Sequence, residues 1–404
     1  MIQGILGDPV KRRWWLTVGV CVAVGILLPF VWDHTGADLK VYRLGGSMVL
    51  DDPASLYAAR MRDITMPFTY PLFGAMVMVP VAVMPWPVAY GVSITVSLFA
   101  IVVIWRLCLR RLPPASSWGP AGLIAVSAAS LLIEPVRETL SYGQINLILC
   151  ALILYDVLEV RRPRRGIWIG IAAGIKLTPL VFFGMLVVTR QWRALAHASA
   201  AFAVTVLAGF LIAPSAAWEY WTKLLSDTAR IGGLAYSGNQ SWNGFLIRVT
   251  GDMDGGGLAW KAVVLLTVVA GLWLTRALWL RGERLGATAI AGMISLLCSP
   301  VSWSHHWVWM IPLGVALLTG TRVGRRFPVQ TAAAWFGLLM LAPIWWVPRR
   351  GNRELDWNML EQVAGNAYLW LALTAGLLLA AGGRTRTMPA ATTIREDAPT
   401  HPRL

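Results

Sequence analysis

Charge is scarce in this chain. Of 404 residues only 14% are Asp, Glu, Lys or Arg, 57% are hydrophobic, and the mean hydropathy is +0.60. Set out as repeated apolar runs of bilayer-crossing length, that balance excludes an ordinary soluble globule. Acid is the scarcer sign, 20 Asp and Glu against 35 Lys and Arg, for a net charge of +15. The basic residues make no continuous stripe. They fall in short clusters between apolar runs, at Lys11–Arg13, Arg106–Arg111, Arg161–Arg165, Arg190–Arg193, Arg281–Arg284, Arg322–Arg326 and Arg384–Arg386. This is the positive-inside pattern of a membrane protein, and it argues against a nucleic-acid groove. Cysteine is rare, and Cys21, Cys108, Cys150 and Cys298 lie in or beside apolar segments without metal-ligand spacing. Buried free thiols are expected, with one disulfide left open. No internal repeat of the kind built into secondary transporters is visible. No nucleotide-binding α/β domain is visible either, so Asp252-Met253-Asp254, followed by three glycines, reads as a solvated turn and not as a metal-binding Asp-x-Asp.

The apolar runs define an all-α polytopic membrane protein. Trp14 to Trp32 is too long for a signal-peptide core and lacks a cleavage site, so it reads as a retained first crossing. Placing every basic cluster in the cytoplasm forces an even number of crossings between consecutive clusters. The expected pairs are 119–134 with 143–160, 194–213 with 258–280, 285–300 with 306–320, and 328–347 with 366–382. Between Met66 and Arg111 the second half reads as a crossing, and the proline-rich first half as an interfacial or partly inserted piece. The run 166–189 holds two short helices broken at Lys176-Leu177-Thr178-Pro179, because Pro179 lacks an amide donor and disfavours helix before it. The count is about twelve crossings with both termini cytoplasmic. The membrane domain spans 1–383 and a polar, Pro/Thr-rich tail, 384–404, is expected to be disordered in the cytoplasm. The extracytoplasmic loops then include 33–68, with an amphipathic surface helix from Pro53 to Met61, and a long loop, 214–257, with surface helices of its own.

The polar residues that positive-inside anchoring does not explain gather in those loops. Asp38, just past the first crossing, can ionise at the membrane surface and take a proton from a hydroxyl as an anomeric carbon gathers positive charge. It can equally cap the helix that starts at Leu39. His305 and His306, flanked by Trp303, Trp307 and Trp309, could stabilise a departing lipid phosphate, or simply belong to an interfacial aromatic belt. A metal site is disfavoured, since adjacent histidines diverge on a helix and no third ligand follows. Lys176 lies within an apolar run, where a lysine costs about 2.5–3.5 kcal/mol on insertion scales, and so should face a cavity or a partner unless it snorkels outward. Arg137, Glu138, Gln144 and Asn146 offer hydrogen bonds suited to sugar hydroxyls and phosphate oxygens, or to ordinary interhelical contacts. Trp242, Asn243 and Arg248 set aromatic platforms beside amides, which suits a carbohydrate and also a membrane-surface loop.

In chain order, Asp38-Leu39-x-Val41-Tyr42, Pro67-Phe68-Thr69-Tyr70-Pro71, Tyr142-Gly143-Gln144-x-Asn146, Gly174-Ile175-Lys176-Leu177-Thr178-Pro179 and Ser299-Pro300-Val301-Ser302-Trp303-Ser304-His305-His306-Trp307 resemble the GT-C-fold transferases of glycosyltransferase family 87. The Asp-Leu-x-Val-Tyr form is most similar to the actinobacterial α-1,2-mannosyltransferases of that family. The resemblance implies a periplasmic-side active site with Asp38 as general base, aided by His305 and His306. Lys176, Arg137, Tyr70, Gln144 and Asn146 would bind donor phosphate or sugar, and Trp242, Asn243 and Arg248 the acceptor. It implies a polyprenyl-phosphate-mannose donor, a phosphatidylinositol mannoside acceptor, inversion in a single displacement, and no metal or other cofactor. The family's frequent second proline after Thr-Tyr is replaced here by Leu72. Branching of lipomannan or lipoarabinomannan by the same chemistry, polyprenyl-phosphate-arabinose as donor, and a lipid or solute transporter are the competing readings.

Overall fold

The computed structural model describes residues 17–27, 35–61, 66–112, 119–225, 227, 232–252, 257–349 and 351–382. The tail 384–404, the cluster Arg384–Arg386, the ends of the first crossing, and Met253 with Asp254 lie outside the described residues. Within those described, the chain is helical, and its one extended pairing is an isolated bridge between Asn239 and Trp303. In chain order the helices are α1 (Thr17–Leu27), α2 (Ala37–Asp51), α3 (Leu72–Ala82), α4 (Trp86–Leu109), α5 (Pro120–Ala129), α6 (Glu134–Tyr142) and α7 (Asn146–Leu158). After them come α8 (Ile167–Ile175), α9 (Val181–Val188), α10 (Trp192–Ile212), α11 (Pro214–Glu219), α12 (Trp242–Thr250) and α13 (Gly257–Leu280). The last are α14 (Arg284–Cys298), α15 (Met310–Gly320), α16 (Arg322–Arg326), α17 (Pro328–Leu341), α18 (Met359–Gly365) and α19 (Ala367–Ala381).

Four helices among the described residues are long and apolar enough to cross a membrane unaided: Trp86–Leu109, Trp192–Ile212, Gly257–Leu280 and Pro328–Trp345. Two bent pairs, α5 with α6 at 77° and α18 with α19 at 73°, raise the number to six if each pair is one span. The outward faces of α10 and α13 carry exposed Val204, Leu211, Leu258, Leu265 and Trp273, as a lipid-facing surface should. This is a membrane protein. Several other expected crossings are present as shorter helices. At 1.5 Å per residue, the 15-residue α14 covers about 22 Å, short of a hydrocarbon core of about 30 Å. α14 and α15 are almost wholly buried and form the centre of the bundle.

The expected break at Lys176 is present. α8 ends at Ile175, Lys176 takes an extended conformation (φ −145°, ψ 135°), and a 3₁₀ turn over Thr178–Leu180 leads into α9. The expected surface helix over 53–61 is not. Only one 3₁₀ turn forms, Pro53–Ser55, after which aromatic packing takes over. Tyr57 is buried, stacks on Tyr220 at 5.3 Å, and donates its hydroxyl to the Tyr70 carbonyl at 3.0 Å. The long loop does hold helices, α11 and α12. All four cysteines are free thiols.

Candidate active site

Asp38 is the second residue of α2. The position before that helix is Gly36, left-handed at φ 57°, and no side chain caps the helix end. Asp38 is therefore not spent as a cap, and its carboxylate is free to accept a hydrogen bond from the Gln144 side chain. The helix dipole favours an anion there. Gly36 donates its amide to the Ser141 carbonyl at 2.9 Å, which ties the start of α2 to the end of α6. α6 ends on Gly143 at φ 67°, with Gly143 N–H to Leu140 O and Gln144 N–H to Thr139 O closing its last turn. A Cβ on Gly143 would lie 2.7 Å from Leu39 Cβ, so only glycine lets α2 and α6 approach this closely.

Residues remote in sequence converge around that junction. Tyr42, one helical turn after Asp38, donates its hydroxyl to Gln144 Oε1 and also contacts the Tyr70 hydroxyl at 3.3 Å. Gln144 Nε2 reaches the same Tyr70 hydroxyl at 3.4 Å. Lys176, buried at the break after α8, donates to Asn146 Oδ1 at 2.9 Å and meets His306 Nε2 at 3.3 Å. Its ammonium also stands 5.4 Å from the centre of the Tyr70 ring. His305 is held by its backbone, because its carbonyl accepts from Thr139 Oγ1 at 2.8 Å and from Asn146 Nδ2 at 3.3 Å. Its ring lies edge-on to Tyr142 at 4.9 Å and to His306 at 4.7 Å.

His305 Nε2 lies 3.6 Å from Asp38 Oδ2, too far for a hydrogen bond, and among the described residues nothing else bonds that nitrogen. A buried polar atom without a partner, facing a carboxylate across such a gap, leaves room for another group to be bound by both. The Asp38 side chain keeps 22% of its exposure, so a reactant can reach it. Burial pushes the Asp38 carboxyl up from 3.8 to about 6, while the charge on Lys176 and the bond from Gln144 pull the other way. Burial and Lys176 together push His305 down to about 3, so its imidazole is neutral near pH 7. The site thus pairs a carboxylate poised near neutrality with a neutral imidazole and a buried ammonium. Beyond Lys176 and His306 a recess of about 20 Å³, edged by Thr178, Ser295, Ser299 and Ser302, has room for a water molecule. Among the described residues no group of three or more His, Cys, Asp or Glu side chains could hold a metal ion.

Asp38, Tyr70, Gln144, Asn146, Lys176, His305 and His306 are thus brought together. Arg137 faces Glu138 at 3.5 Å and makes no hydrogen bond to this cluster. The long-loop residues are also engaged elsewhere. Trp242 Nε1 donates to Thr267 Oγ1 at 2.9 Å and Asn243 Nδ2 to the Pro300 carbonyl at 3.2 Å. Arg248 is buried, its guanidinium donating to the carbonyls of Ala235, Tyr236 and Asn239 and to Asn366 Oδ1. These side chains hold the long loop in place: both terminal nitrogens of Arg248 are spent on it, and its buried Nε alone has no partner among the described residues. Asn239 and Gln240 fix the neighbouring segment in the same way: Asn239 Oδ1 accepts from Ser302 N–H at 3.0 Å, and Gln240 N–H donates to Ser302 O at 2.9 Å. Tyr42, present in the sequence only as part of the Asp38–Tyr42 motif, and Thr139 were not among the expected site residues. The i, i+4 spacing of Asp38 and Tyr42, which places both on one face of α2, was a signal that could have found the tyrosine.

A carboxylate beside a buried lysine and two histidines suits a group transfer in which the leaving group gains negative charge. The chain belongs to glycosyltransferase family 87, whose family model matches residues 68–300. That stretch includes Tyr70, Gln144, Asn146 and Lys176, with Asp38 and the two histidines on either side of it. The chain is 34% identical over 350 residues to a polyprenol-phosphate-mannose-dependent α-(1-2)-phosphatidylinositol pentamannoside mannosyltransferase of Mycolicibacterium smegmatis, covering 83% of this chain and 84% of the relative. It is likewise 34% identical over 394 residues to a polyprenol-phosphate-mannose-dependent α-(1-2)-phosphatidylinositol mannoside mannosyltransferase of Mycobacterium tuberculosis, covering 91% of this chain and 90% of that protein. No solved structure matches the chain.

Proposed function

We propose that this protein is an inverting α-1,2-mannosyltransferase of the GT-C type, moving mannose from polyprenyl-phosphate-mannose to a phosphatidylinositol mannoside at the periplasmic face of the cell membrane. The observation that carries the reading is the carboxylate of Asp38 set 3.6 Å from the unpartnered Nε2 of His305, with Lys176 behind them. The acceptor hydroxyl sits between Asp38 and His305. As its oxygen bonds to the anomeric carbon, its proton passes to Asp38 and the bond from that carbon to the phosphate oxygen breaks. The leaving polyprenyl phosphate gains negative charge, which the Lys176 ammonium and the His306 ring stabilise. Lys176 supplies the positive charge that a metal would otherwise bring, so transfer is metal-independent. A recess with room for one water does not hold a phosphosugar, so donor entry displaces the Lys176–His306 contact and opens the site. About twelve crossings, counting the short and broken helices, and cytoplasmic termini complete the proposed topology.

The test is to incubate purified protein with polyprenyl-phosphate-mannose and a panel of phosphatidylinositol mannosides, with and without a chelator, and to identify the product. An α-1,2-linked mannose added to the tetramannoside, unaffected by chelation, is the expected result. Transfer only to longer mannans would move the assignment to the branching reaction, and no transfer from the mannose donor would overturn it.

A further inference from the structure

The recess beyond Lys176 and His306 holds a hydroxyl that no bond accounts for. Three serines line it, Ser295, Ser299 and Ser302. Ser295 donates to the Gly292 carbonyl and Ser299 to the Val301 carbonyl, each at 2.7 Å, so both of those hydroxyls are engaged. Ser302 is fully buried, and its Oγ has no hydrogen-bond partner among the described residues. Its backbone is the opposite case. The Ser302 N–H donates to Asn239 Oδ1 at 3.0 Å and its carbonyl accepts from Gln240 N–H at 2.9 Å. Asn239 is tied in turn, its Nδ2 donating to the Leu234 carbonyl at 2.9 Å. The residue is thus fixed by both backbone groups while its side chain stays idle. An unpaired hydroxyl in the interior destabilises a fold, so one kept at the wall of a cleft points to a ligand.

The other residues of the recess select that ligand. The buried Lys176 ammonium has three N–H donors; Asn146 Oδ1 takes one at 2.9 Å and His306 Nε2 meets another at 3.3 Å. A lysine donor and a serine donor therefore border about 20 Å³, room for a single oxygen, and no Asp or Glu is among the residues that line it. The complement is an anionic oxygen. His306 lines the recess and His305, which faces Asp38, does not, so the recess lies on the leaving-group side of the site. We propose that Ser302 is a catalytic residue of the transfer, its Oγ–H donating to a non-bridging oxygen of the donor's phosphate that enters the recess beside Lys176. This rests on the donor reading above and adds a residue to it. When the bond from the anomeric carbon to the bridging oxygen breaks, its electron pair stays on the phosphate. The added charge strengthens the bond from Ser302, which keeps its own proton.

Ser302→Ala in the full-length protein, purified in a neutral detergent, tests it. Without ligand the variant keeps the wild-type Tm or exceeds it, because it deletes a buried hydroxyl that had no partner. Its kcat for transfer falls about ten- to a hundredfold, as the loss of one hydrogen bond to a charged group allows. The acid limb of its pH profile does not move, since Asp38 is untouched. Polyprenyl phosphate added alone raises the wild-type Tm more than the variant's and inhibits wild type at about tenfold lower concentration, whereas uncharged polyprenol does not tell them apart. Ser302→Cys, a weaker donor of similar shape, falls between the two. A variant equal to wild type in rate and in its response to polyprenyl phosphate overturns the proposal while leaving the mannose donor standing. Early unfolding and lost rate with unchanged affinity for polyprenyl phosphate would make the hydroxyl structural and overturn it too. If wild type neither binds polyprenyl phosphate nor transfers, the donor reading itself has failed, and the role of Ser302 falls with it.

Discussion

In the proposed reaction Asp38 acts as base only when ionised, and burial pushes its carboxyl up from 3.8 to about 6. The sign follows directly. Above about 6 the base is present, and as the pH falls through that value it is protonated and transfer is lost. A pH profile of kcat/KM should therefore show an acid limb with its midpoint near 6, and a limb below 4.5 would mean that the buried carboxylate is not the base. Asp38→Asn should cut transfer at least about a hundredfold, the low end of what a general base contributes, while the protein keeps its unfolding temperature in detergent. Asp38, His305 and His306 were legible in the sequence as loop residues that positive-inside anchoring does not explain, and Lys176 as a charge within an apolar run. Their convergence was not, since positions 38, 176 and 305 are joined only by the way α2, α8 and the turn before α15 pack. Arg248 shows the reverse failure. A loop rich in amides, arginine and tryptophan has one composition whether it faces a sugar or satisfies its own carbonyls, and here Arg248 does the latter.

At the scale of elements, α6 aligns the site. Its C-terminal Gly143 lets α2 approach, and a side chain there would need a left-handed backbone and would meet Leu39 at 2.7 Å. Gly143→Ala should cost about 1–3 kcal/mol, read as a lower Tm, and should also slow transfer because Asp38 rides on the displaced helix. The other end of α6 is pinned by Glu134, which is buried and accepts from Tyr368 OH at 2.7 Å and Trp345 Nε1 at 2.9 Å. Glu134→Ala leaves both donors unsatisfied, and each buried orphan costs about 1–3 kcal/mol. That variant should unfold earlier than wild type and lose rate in proportion as the Thr139–His305 contact loosens, whereas an unchanged melting curve would show that α6 is held by packing alone. A sequence can offer Glu134 as a loop carboxylate, but not the indole and phenol, more than two hundred residues downstream, that bury it. The break at Lys176 was readable because Pro179 acts locally. The surface helix over 53–61 was not, because the contact of Tyr57 with Tyr220 that replaces it is long-range.

The described residues set the Asp38 cluster near one end of α4 and Arg106, Arg110 and Arg111 at the other. Hydropathy made the membrane class plain. It could not show which apolar runs stay straight, and prolines and buried glycines divide several into pieces shorter than a bilayer. What that arrangement demands is sidedness. If the basic clusters are cytoplasmic, the loop after α2 must face the periplasm, because α4 ends at Leu109, next to Arg110. The native thiols leave a quiet background: Cys21, Cys108 and Cys150 are buried and Cys298 is partly covered. In such a chain Ala58→Cys, exposed just beyond the turn at Pro53–Ser55, should react in intact cells with a maleimide too polar to cross membranes. Arg110→Cys, exposed at the far end of α4, should react only after the membrane is permeabilised. The opposite pattern would put Asp38 in the cytoplasm. There the donor's sugar would have to be presented on the inner leaflet, and the positive-inside argument would fail for every helix at once, since α4 fixes the direction of its neighbours.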